Sequence, residues 1–264
     1  MSLVRKKWLI FSPWNENKKI VTLFSSLNAI FKLEGGIISK GSQSEIFSQQ
    51  IDGKTYFIKR YHRSKNIGSW FGFSRFSVEA RNQLWFNRQG IGSAKVVALG
   101  EESCLLKTQK GVLITEGIEH ATDLILIAKN NPQQFNNSTW LNALIIDLAD
   151  VVRRLHKNRF CHNDLHWRNV LVQQEHADRV PKVYLIDCPS GKSWIWPFLN
   201  ARKVKDLASL DLLAPEYLSM TQRLRFFMLY RQVTRLTHED KIMIREIMKY
   251  KAKKAERRIK RRVE

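Results

Sequence analysis

Two acidic residues and one amide are spaced for chemistry on phosphate groups. Asp164 and Asn169 lie in the stretch His-Asn-Asp-Leu-His-Trp-Arg-Asn (162–169), and Asp187 follows the apolar run Val-Tyr-Leu-Ile (183–186). A metal–nucleotide phosphotransferase needs these groups in this order. Asp164 would be the catalytic residue that accepts the proton of an attacking hydroxyl. Asn169 and Asp187 would hold Mg²⁺ over the phosphates of ATP, because Mg²⁺ prefers hard oxygen ligands.

A lysine and a glutamate upstream could complete the nucleotide site. Lys59 occupies an inward position of a predicted strand over residues 54–61, where it could pair the α- and β-phosphates of ATP. Taken alone, it fits better as one of many solvated lysines. Glu79 follows about twenty residues later on a predicted helix, where an ion-pair partner for such a lysine belongs. The spacing therefore predicts that Lys59 and Glu79 act together in nucleotide binding.

A short turn before that strand is a candidate cover for the phosphates. The run Gly41-Ser42-Gln43-Ser44 keeps a single glycine and departs from the pattern G-x-G-x-x-G. Its backbone amides and the hydroxyls of Ser42 and Ser44 could still cradle a phosphate group. An ordinary hairpin is the alternative interpretation.

Two further residues are predicted to support the site rather than to react. His162 is expected to pack and hydrogen-bond within its loop, and not to accept the proton. Asp206 could anchor the backbone of that loop, although an acid near a helix N-terminus is also favoured by the helix dipole alone. Cys188-Pro189 follows Asp187, and a proline there stiffens the segment. This argues against the mobile activation loop of regulated protein kinases.

The elements that must position these residues change type along the chain. Predicted strands dominate up to about residue 118, including an Asp52-Gly53 hairpin and three short strands over residues 91–99, 104–107 and 112–116. Two helices are expected among them, one over residues 20–33 and one begun by Ser77 and ended near Gly90. Helical periodicity follows, most clearly over residues 140–157. This order predicts an α+β, two-lobed protein-kinase-like fold, with a small antiparallel β lobe and a mainly helical large lobe. The expected divisions are an N-terminal extension (1–35), the small lobe (36–118), the catalytic large lobe (119–240) and a basic C-terminal helix (241–264).

Composition limits the partners and the compartment. The chain has 264 residues, an ordinary apolar fraction and a formal net charge of +21. So basic a balance predicts a polyanionic neighbour such as nucleic acid, an anionic membrane surface or a phosphorylated glycolipid. The three cysteines form no Cys-x-x-Cys pair, which disfavours a disulfide framework or a zinc site and fits a reducing cytoplasm. No apolar run approaches the roughly 18 residues of a membrane span, so a soluble or peripheral protein is expected.

Beyond these single motifs, the chain resembles the bacterial lipopolysaccharide kinase (Kdo/WaaP) family over roughly residues 36 to 235. Members of that family are protein-kinase-like enzymes that phosphorylate core sugars of lipopolysaccharide. The catalytic group is common to kinases, whereas the lysine-rich helix start and the later Arg-Phe-Tyr helix favour this family in particular. The segments that carry the resemblance are residues 40–44, 56–61, Glu79 with 90–92, 162–169, 185–187, 202–210 and 223–230.

The resemblance implies an acceptor and a place in the cell. The acceptor would be a hydroxyl of a heptose or of Kdo in the lipopolysaccharide inner core. The enzyme would work in the cytoplasm, as a peripheral protein at the cytoplasmic face of the bacterial inner membrane. Its basic surface would then contact anionic lipid, and the last helix is the candidate contact, with a solvated basic tail as the alternative. The cations of that helix are Lys249, Lys251, Lys253, Lys254, Arg257, Arg258, Lys260, Arg261 and Arg262.

Two other functions remain as rivals. A protein Ser/Thr or Tyr kinase is disfavoured because the span between Asp187 and Asp206 leaves little room for a peptide platform. A catalytically dead kinase fold that binds polyanions would explain the charge. An intact site argues against a dead fold, so no nucleic-acid partner is expected. The intact residues are Lys59, Asp164, Asn169 and Asp187.

Overall fold

The computed structural model describes residues 4–41, 43–62, 74–104, 107–174 and 180–263, with the side chains of the last helix described as far as Glu256. Its internal contacts divide the chain into two units. Unit 1 comprises Met1–Glu119 and Asp187–Ser190, and unit 2 comprises His120–Ile186 and Gly191–Glu264. The segment of residues 63–73 and Ser42 lie outside the described residues, as do the side chains of Arg257 and of the basic residues after it.

Unit 1 is built on an antiparallel sheet of six strands in the order β1-β5-β6-β4-β3-β2. Its strands are β1 (Val4–Ile10), β2 (Ile37–Lys40), β3 (Ser44–Ile51), β4 (Lys54–Tyr61), β5 (Val96–Cys104) and β6 (Lys107–Glu116). Its helices are α1 (Lys18–Leu23), α2 (Leu27–Lys32) and α3 (Arg75–Arg88). The strands β5 and β6 form one long hairpin, where the sequence had predicted three shorter strands; their pairing continues from Cys104 back to Val96 through two irregular steps.

The hairpin between β3 and β4 sets the direction of Lys59. Asp52 and Gly53 both have positive φ, 51° and 77°, as the two-residue turn predicted from the Asp-Gly pair requires. Along β4 the side chains alternate between the two faces of the sheet. Tyr56 and Ile58 enter the core formed with α1 and α2. Lys59 therefore points to the opposite face.

Helix α3 begins earlier than its sequence predicts. Ser74, and not Ser77, is the N-cap: its hydroxyl oxygen accepts a hydrogen bond from the Ser77 amide at 3.1 Å. The chain leaves the helix through Gly90, whose φ of 62° suits a residue without a side chain. The predicted end was therefore right and the predicted beginning was wrong by one helical turn.

The N-terminal segment is part of the same packing. Strand β1 pairs with β5 along its whole length. The single helix expected over residues 20–33 is instead two helices, because Ser26 caps α2 by accepting the Ala29 amide and so interrupts the first helix. Ile20, Phe24 and Ile30 are buried against the sheet.

Unit 2 is mainly helical. Its helices are α4 (Leu124–Asn130), α5 (Ser138–Lys157), α6 (Phe198–Leu210), α7 (Ala214–Tyr217), α8 (Met220–Arg231) and α9 (His238–Val263). Its strands are β7 (Ala121–Asp123), β8 (Phe160–Cys161), β9 (Val170–Gln173), β10 (Lys182–Leu185) and β11 (Lys192–Ser193). Strands β10, β9 and β7 form one small sheet, and β11 pairs with β8. Helix α5 confirms the predicted helical period, with its apolar side chains buried at the predicted positions.

The basic helix α9 packs along α6. Asp211, just after α6, accepts hydrogen bonds from Nε and Nη2 of Arg223 at 2.6 and 2.7 Å and also pairs with Lys251 of α9. Paired charges of this kind hold the middle of α9 against the body of unit 2. Within the described residues, no helix is both long enough and apolar enough to cross a membrane.

Candidate active site

Three of the predicted site residues meet in unit 1. Lys59 Nζ lies 2.6 Å from Glu79 Oε1 and 2.9 Å from Asp187 Oδ1. We refer to Lys59, Glu79 and Asp187 as the Lys59 cluster. Strand β4 supplies the lysine and α3 supplies the glutamate, so the two are joined across the face of the sheet that carries α3. The spacing of about twenty residues, which the kinase pattern predicted, thus corresponds to a strand, a connection and the first turns of a helix.

Burial and ion pairing oppose each other within the Lys59 cluster. Burial raises the pKa of the Glu79 carboxyl above its ordinary value even though the Lys59 ammonium pulls it down. Burial alone would also raise the pKa of the Asp187 carboxyl. The charge and the hydrogen bond of Lys59 outweigh burial, so this pKa lies below its ordinary value. Burial would lower the pKa of Lys59, and its two carboxylate partners raise it instead. Lys59 is therefore a fixed cation at neutral pH.

Asp187 is held by the backbone around it. Its φ of 52° lies in the left-handed region, which Asp adopts more readily than most residues. The carbonyl of the next residue, Cys188, accepts a hydrogen bond from the side-chain amide of Asn82 at 2.8 Å. Asn82 and Glu79 are both on α3, so one helix orients the lysine and also fixes the segment that carries Asp187.

In unit 2, a buried carboxylate shapes the loop of residues 162–169, which we call the Asp164 loop. Asp206 of α6 is fully buried, and its two oxygens accept the backbone amides of His162 at 2.7 Å and Asn163 at 2.8 Å. Asn163 has a φ of 63°, which turns the chain just before Asp164. The structure thus places Asp206 where a loop anchor would be, and it shows Asn163 as a turn residue that the sequence reasoning had not singled out.

His162 is fully buried and bonds to the strand end that leads to Asp187. Its Nε2 lies 3.1 Å from the carbonyl oxygen of Ile186. Because a carbonyl only accepts, this ring nitrogen carries the hydrogen. The amide of Ile186 in turn donates to the Asn169 carbonyl at 3.1 Å. Both ends of the Asp164 loop are therefore fastened to the residue immediately before Asp187.

The Asp164 carboxylate is surrounded by donors. Arg168 donates to Oδ2 at 2.9 Å, and the side-chain amide nitrogen of Asn169 lies 3.2 Å from the same oxygen. That amide also donates to the Asp164 carbonyl at 2.8 Å. Since the Asn169 nitrogen is committed to Asp164, its side-chain oxygen is the atom left to bind a cation. Arg168 could have been predicted from its position in the same loop, four residues after the acid.

A lysine from the last helix reaches the same loop. Lys254 Nζ of α9 lies 3.2 Å from His166 Nε2, and that ring nitrogen is 3.5 Å from Asp164 Oδ1. Burial, followed by the charge of Lys254, lowers the pKa of His166 to about 4. The imidazole is therefore neutral at pH 7 and accepts a hydrogen bond from the ammonium group. No local signal in the sequence could have joined two residues so far apart.

The predicted phosphate-covering turn is only partly described. Ser42 lies outside the described residues. Gly41 follows β2, and its amide donates to the Ser44 carbonyl at 2.8 Å, so this amide is already used within the hairpin. Ser44 opens β3, opposite Tyr61 of β4. The Ser44 hydroxyl and the amides nearest the tip remain the groups that could reach a phosphate.

A second cluster in unit 2 resembles a metal site by composition. His156, Cys161 and Asp206 are buried, with their ligand atoms within 4.8 Å of one another. Burial raises the pKa of the Cys161 thiol to about 12, so it stays protonated and is a poor ligand. Both Asp206 oxygens accept backbone amides of the Asp164 loop, and His156 bonds to Tyr230 at 2.9 Å. The chemistry of this cluster is that of a structural hydrogen-bond network.

Comparison with known families covers both groups of residues. The model of the lipopolysaccharide kinase (Kdo/WaaP) family matches residues 39–230, a range that contains the Lys59 cluster and the Asp164 loop. The chain belongs to this family. It is therefore a kinase, which transfers a phosphoryl group to an alcohol acceptor. Helix α9, which brings Lys254 to the Asp164 loop, lies beyond the matched residues.

Individual relatives and solved structures agree with this assignment. The 3-deoxy-D-manno-octulosonic acid kinase of Mannheimia succiniciproducens is 24% identical over 189 residues, covering 66% of this chain and 73% of the relative. The enzyme of the same name from Actinobacillus succinogenes is 26% identical over 211 residues, with coverage of 73% and 82%. A structure of WaaP in complex with acyl carrier protein superposes with a TM-score of 0.69 at 19% identity, covering 95% of this chain and 98% of WaaP.

The BubR1 kinase domain superposes with a TM-score of 0.50 at 14% identity, covering 82% of this chain and 83% of that domain. At such low identity the two structural matches show the fold alone. They confirm the predicted protein-kinase-like α+β fold, with an antiparallel sheet in one part and helices in the other.

Proposed function

We propose that this family member is an ATP-dependent kinase that phosphorylates a sugar hydroxyl of the lipopolysaccharide inner core. The single observation that carries the proposal is Lys59 held between Glu79 and Asp187, since a buried lysine paired in this way suits ATP phosphates. The relatives named above act on 3-deoxy-D-manno-octulosonic acid (Kdo). Kdo is therefore the first candidate acceptor, and a heptose is the second.

Each group of residues has a separate task in this proposal. Asp164 accepts the proton of the sugar hydroxyl, and the Arg168 and Asn169 side chains orient its carboxylate. Lys59 binds the α- and β-phosphates, and Glu79 fixes the lysine. Gly41, Ser42 and Ser44 cover the phosphates. Catalysis is then mostly positioning and neutralisation of charge, as expected for phosphoryl transfer.

The residues available fit a magnesium ion. Asp187 offers a carboxylate oxygen beyond the one that accepts from Lys59, and Asn169 offers its amide oxygen because its nitrogen is used by Asp164. Both are hard oxygen donors, which Mg²⁺ prefers. When bound, the ion would neutralise charge on the ATP phosphates. His162 and Asp206 serve this arrangement by holding the Asp164 loop and the residue before Asp187 in place.

The proposal predicts a specific product. Purified protein should transfer the labelled γ-phosphate of ATP to Kdo–lipid A, and mass spectrometry should find a gain of one phosphate on the sugar. Asp164→Asn should abolish this transfer. Asp52→Asn is the matched control, because Asp52 is an exposed turn residue where Asn-Gly is equally favourable. Transfer only to a heptose-containing core would move the acceptor to heptose, and transfer only to protein would support the rival protein kinase.

The place of action is proposed from charge. Helix α9 carries a high density of lysine and arginine, and each such residue near an anionic bilayer is worth about 1 kcal/mol. We therefore propose a cytoplasmic protein that associates peripherally with the inner membrane, where its glycolipid acceptor is assembled. Fractionation of cells should find the protein in the membrane pellet at low salt and released by about 0.5 M salt, since screening weakens such contacts.

A protein partner is a further part of the proposal. The WaaP structure was solved in complex with acyl carrier protein, and unit 2 of this chain contains an apolar cavity of about 440 Å³. Leu144, Leu148 and Trp167 line it, while Met220 and Met248 are exposed at its edge. We propose that acyl carrier protein binds here and that its acyl chain fills the cavity. Palmitoylated carrier protein should bind the chain more tightly than the unacylated form, and Leu148→Trp should remove that difference.

A further inference from the structure

A short exposed loop in unit 2 carries large apolar side chains. Ile195, Trp196 and Phe198 are 70%, 81% and 59% exposed, and only Pro197 separates the last two. Single exposed apolar residues are ordinary on protein surfaces, but a contiguous aromatic group usually marks an interaction site. The proposed transfer reaction does not use these three side chains. We call residues 195–198 the aromatic tip.

Cations surround the base of the aromatic tip. Trp194 directly precedes it, and both Lys192 Nζ and the Arg202 guanidinium carbon lie over the Trp194 ring, each 4.2 Å from the ring centroid. Lys203 and Lys205 follow on α6. Between Cys188 and Lys205 the chain contains these four cations and no acidic residue. The segment therefore presents an apolar end, with the charges of Lys192 and Arg202 at the indole that precedes it.

This combination fits the surface of an anionic bilayer. Tryptophan favours the level of the lipid headgroups, and lysine and arginine attract anionic lipid at the same depth. An acidic protein groove would pair with the cations, but it would leave no reason for the most exposed side chain to be an indole flanked by isoleucine and phenylalanine. We propose that the aromatic tip inserts into the headgroup region of an anionic membrane and that Lys192 and Arg202 bind lipid phosphates beside it.

The fold connects this anchor to the catalytic loop. Strand β11, which carries Lys192, pairs with β8 at Cys161, and Trp194 donates its amide to the Arg159 carbonyl at 2.9 Å. Asp164 follows only three residues after β8. A tip inserted in the bilayer would therefore hold the Asp164 loop near the headgroups. This step deepens the proposed function and depends on it, because a glycolipid acceptor displays its sugar at that level.

Vesicle binding tests the anchor directly. The full-length chain is sedimented with phosphatidylcholine vesicles that contain phosphatidylglycerol, and the triple variant Ile195→Ser/Trp196→Ser/Phe198→Ser is compared with it. We expect the partition coefficient to fall by at least about tenfold, since three buried apolar side chains are removed from the bilayer. The matched control is Ile37→Ser/Ile38→Ser, which removes two side chains that are 60% and 55% exposed in unit 1.

Two results would overturn the anchor. One is equal vesicle binding by the wild-type chain and the triple variant, and the other is an equal loss in the control on Ile37 and Ile38. A spectroscopic measurement keeps the test independent of folding. Brominated lipids should quench the fluorescence of the wild-type chain more than that of Trp196→Phe, which should still bind vesicles. If the triple variant changes only self-association in sedimentation velocity, the loop is an interface between copies and the membrane proposal is wrong.

Activity measurements separate this proposal from the proposed function. The triple variant should phosphorylate a deacylated, water-soluble core sugar as fast as the wild-type chain, and a glycolipid embedded in vesicles at least about tenfold more slowly. Equal losses on both acceptors would show that the tip contacts the sugar, against the anchor. If the wild-type chain transfers phosphate to neither acceptor, the proposed function is wrong. The vesicle-binding experiment still tests the membrane anchor independently.

Discussion

The Lys59 cluster and the Asp164 loop are held in different ways. In unit 1, three charged side chains from a strand, a helix and a later segment hold one another by ion pairs. In unit 2, a single buried carboxylate, Asp206, fixes the loop through two backbone amides, and the Asp164 carboxylate is oriented by neighbours within the loop. Ion pairs between side chains hold the Lys59 cluster together, whereas hydrogen bonds to the backbone hold the Asp164 loop.

The difference teaches which substitutions change chemistry and which change structure. A buried ion pair adds little net stability, because both charges lose their hydration. Removing one partner, however, leaves the other charge buried without compensation. A carboxylate that accepts buried backbone amides stabilises a loop, and its loss leaves those amides unsatisfied. We therefore expect variants of the Lys59 cluster to affect nucleotide binding and titration. Variants of the Asp206 anchor should affect folding.

The largest effects should come from one substitution in each unit. Lys59→Met should lower kcat/KM for ATP by roughly a thousandfold, because the phosphates lose a preorganised cation. Asp164→Asn should lower kcat by about 10²- to 10⁴-fold, the range of general-base catalysis, without changing the Kd for ATP. Steady-state kinetics and nucleotide titration measure both. A Lys59→Met protein that binds ATP normally would contradict the division of tasks between the two units.

Next in size is the loss of the Asp206 anchor. Asp206→Ala leaves the amides of His162 and Asn163 without their acceptor and should lower the free energy of unfolding by about 2–4 kcal/mol. Asp206→Asn keeps one acceptor oxygen and should cost about half as much. Urea unfolding followed by tryptophan fluorescence provides the measurement. Glu79→Gln is the comparison from unit 1, and an equal loss of stability there would remove the distinction drawn between charge and backbone geometry.

A smaller effect is expected where α9 meets the Asp164 loop. Lys254→Met removes the ammonium beside His166 and should lower kcat about fivefold with KM for ATP unchanged, because the positive potential near Asp164 falls. Lys253→Met, an exposed neighbour, is the control and should leave kcat as it is. Recovery of kcat by Lys254→Arg would show that the charge matters. A change in unfolding free energy alone would assign Lys254 to packing.

Much of the candidate site could be predicted because its signals are local. Asp164, Asn169 and Asp187 lie beside short apolar segments in a fixed order, and Lys59 and Glu79 are joined by one strand and one helix. Spacings of this kind are set by the hydrogen bonds of a single strand, helix or loop, so they can be recognised in the sequence. The role of Lys254 could not be predicted, because it depends on how α9 packs along α6.

Errors in the fold prediction have equally specific causes. Two serines could begin α3, and the sequence around them offers no reason to prefer Ser74 over Ser77. The break between α1 and α2 could have been found, since Ser26 is a good N-cap in the middle of an apolar period. The strand β6 was divided wrongly because its first half, residues 107–111, contains no apolar residue and only Val112 onward has an apolar pattern. Lys110 and Gly111 nevertheless pair with Glu102 and Glu101 of β5.

The smallest predicted effect separates the two carboxylates of the Lys59 cluster by pH. The folded pKa of Glu79 is raised, so between about pH 4.3 and that raised value the folded chain keeps a proton that the unfolded chain has lost. Stability therefore falls as pH rises through this window. The folded pKa of Asp187 is lowered, so stability is lost instead as pH falls below about 3.9.

Two variants should remove these opposite slopes one at a time. Glu79→Gln should abolish the decline above about pH 4.3, and Asp187→Asn should abolish the loss below about pH 3.9. The free energy of unfolding, measured by urea titration at half-unit steps of pH, gives both slopes relative to the wild-type chain. If both variants change the same window, the carboxylates titrate as one coupled pair. Glu79 and Asp187 would then share one proton and would not titrate as two separately tuned acids.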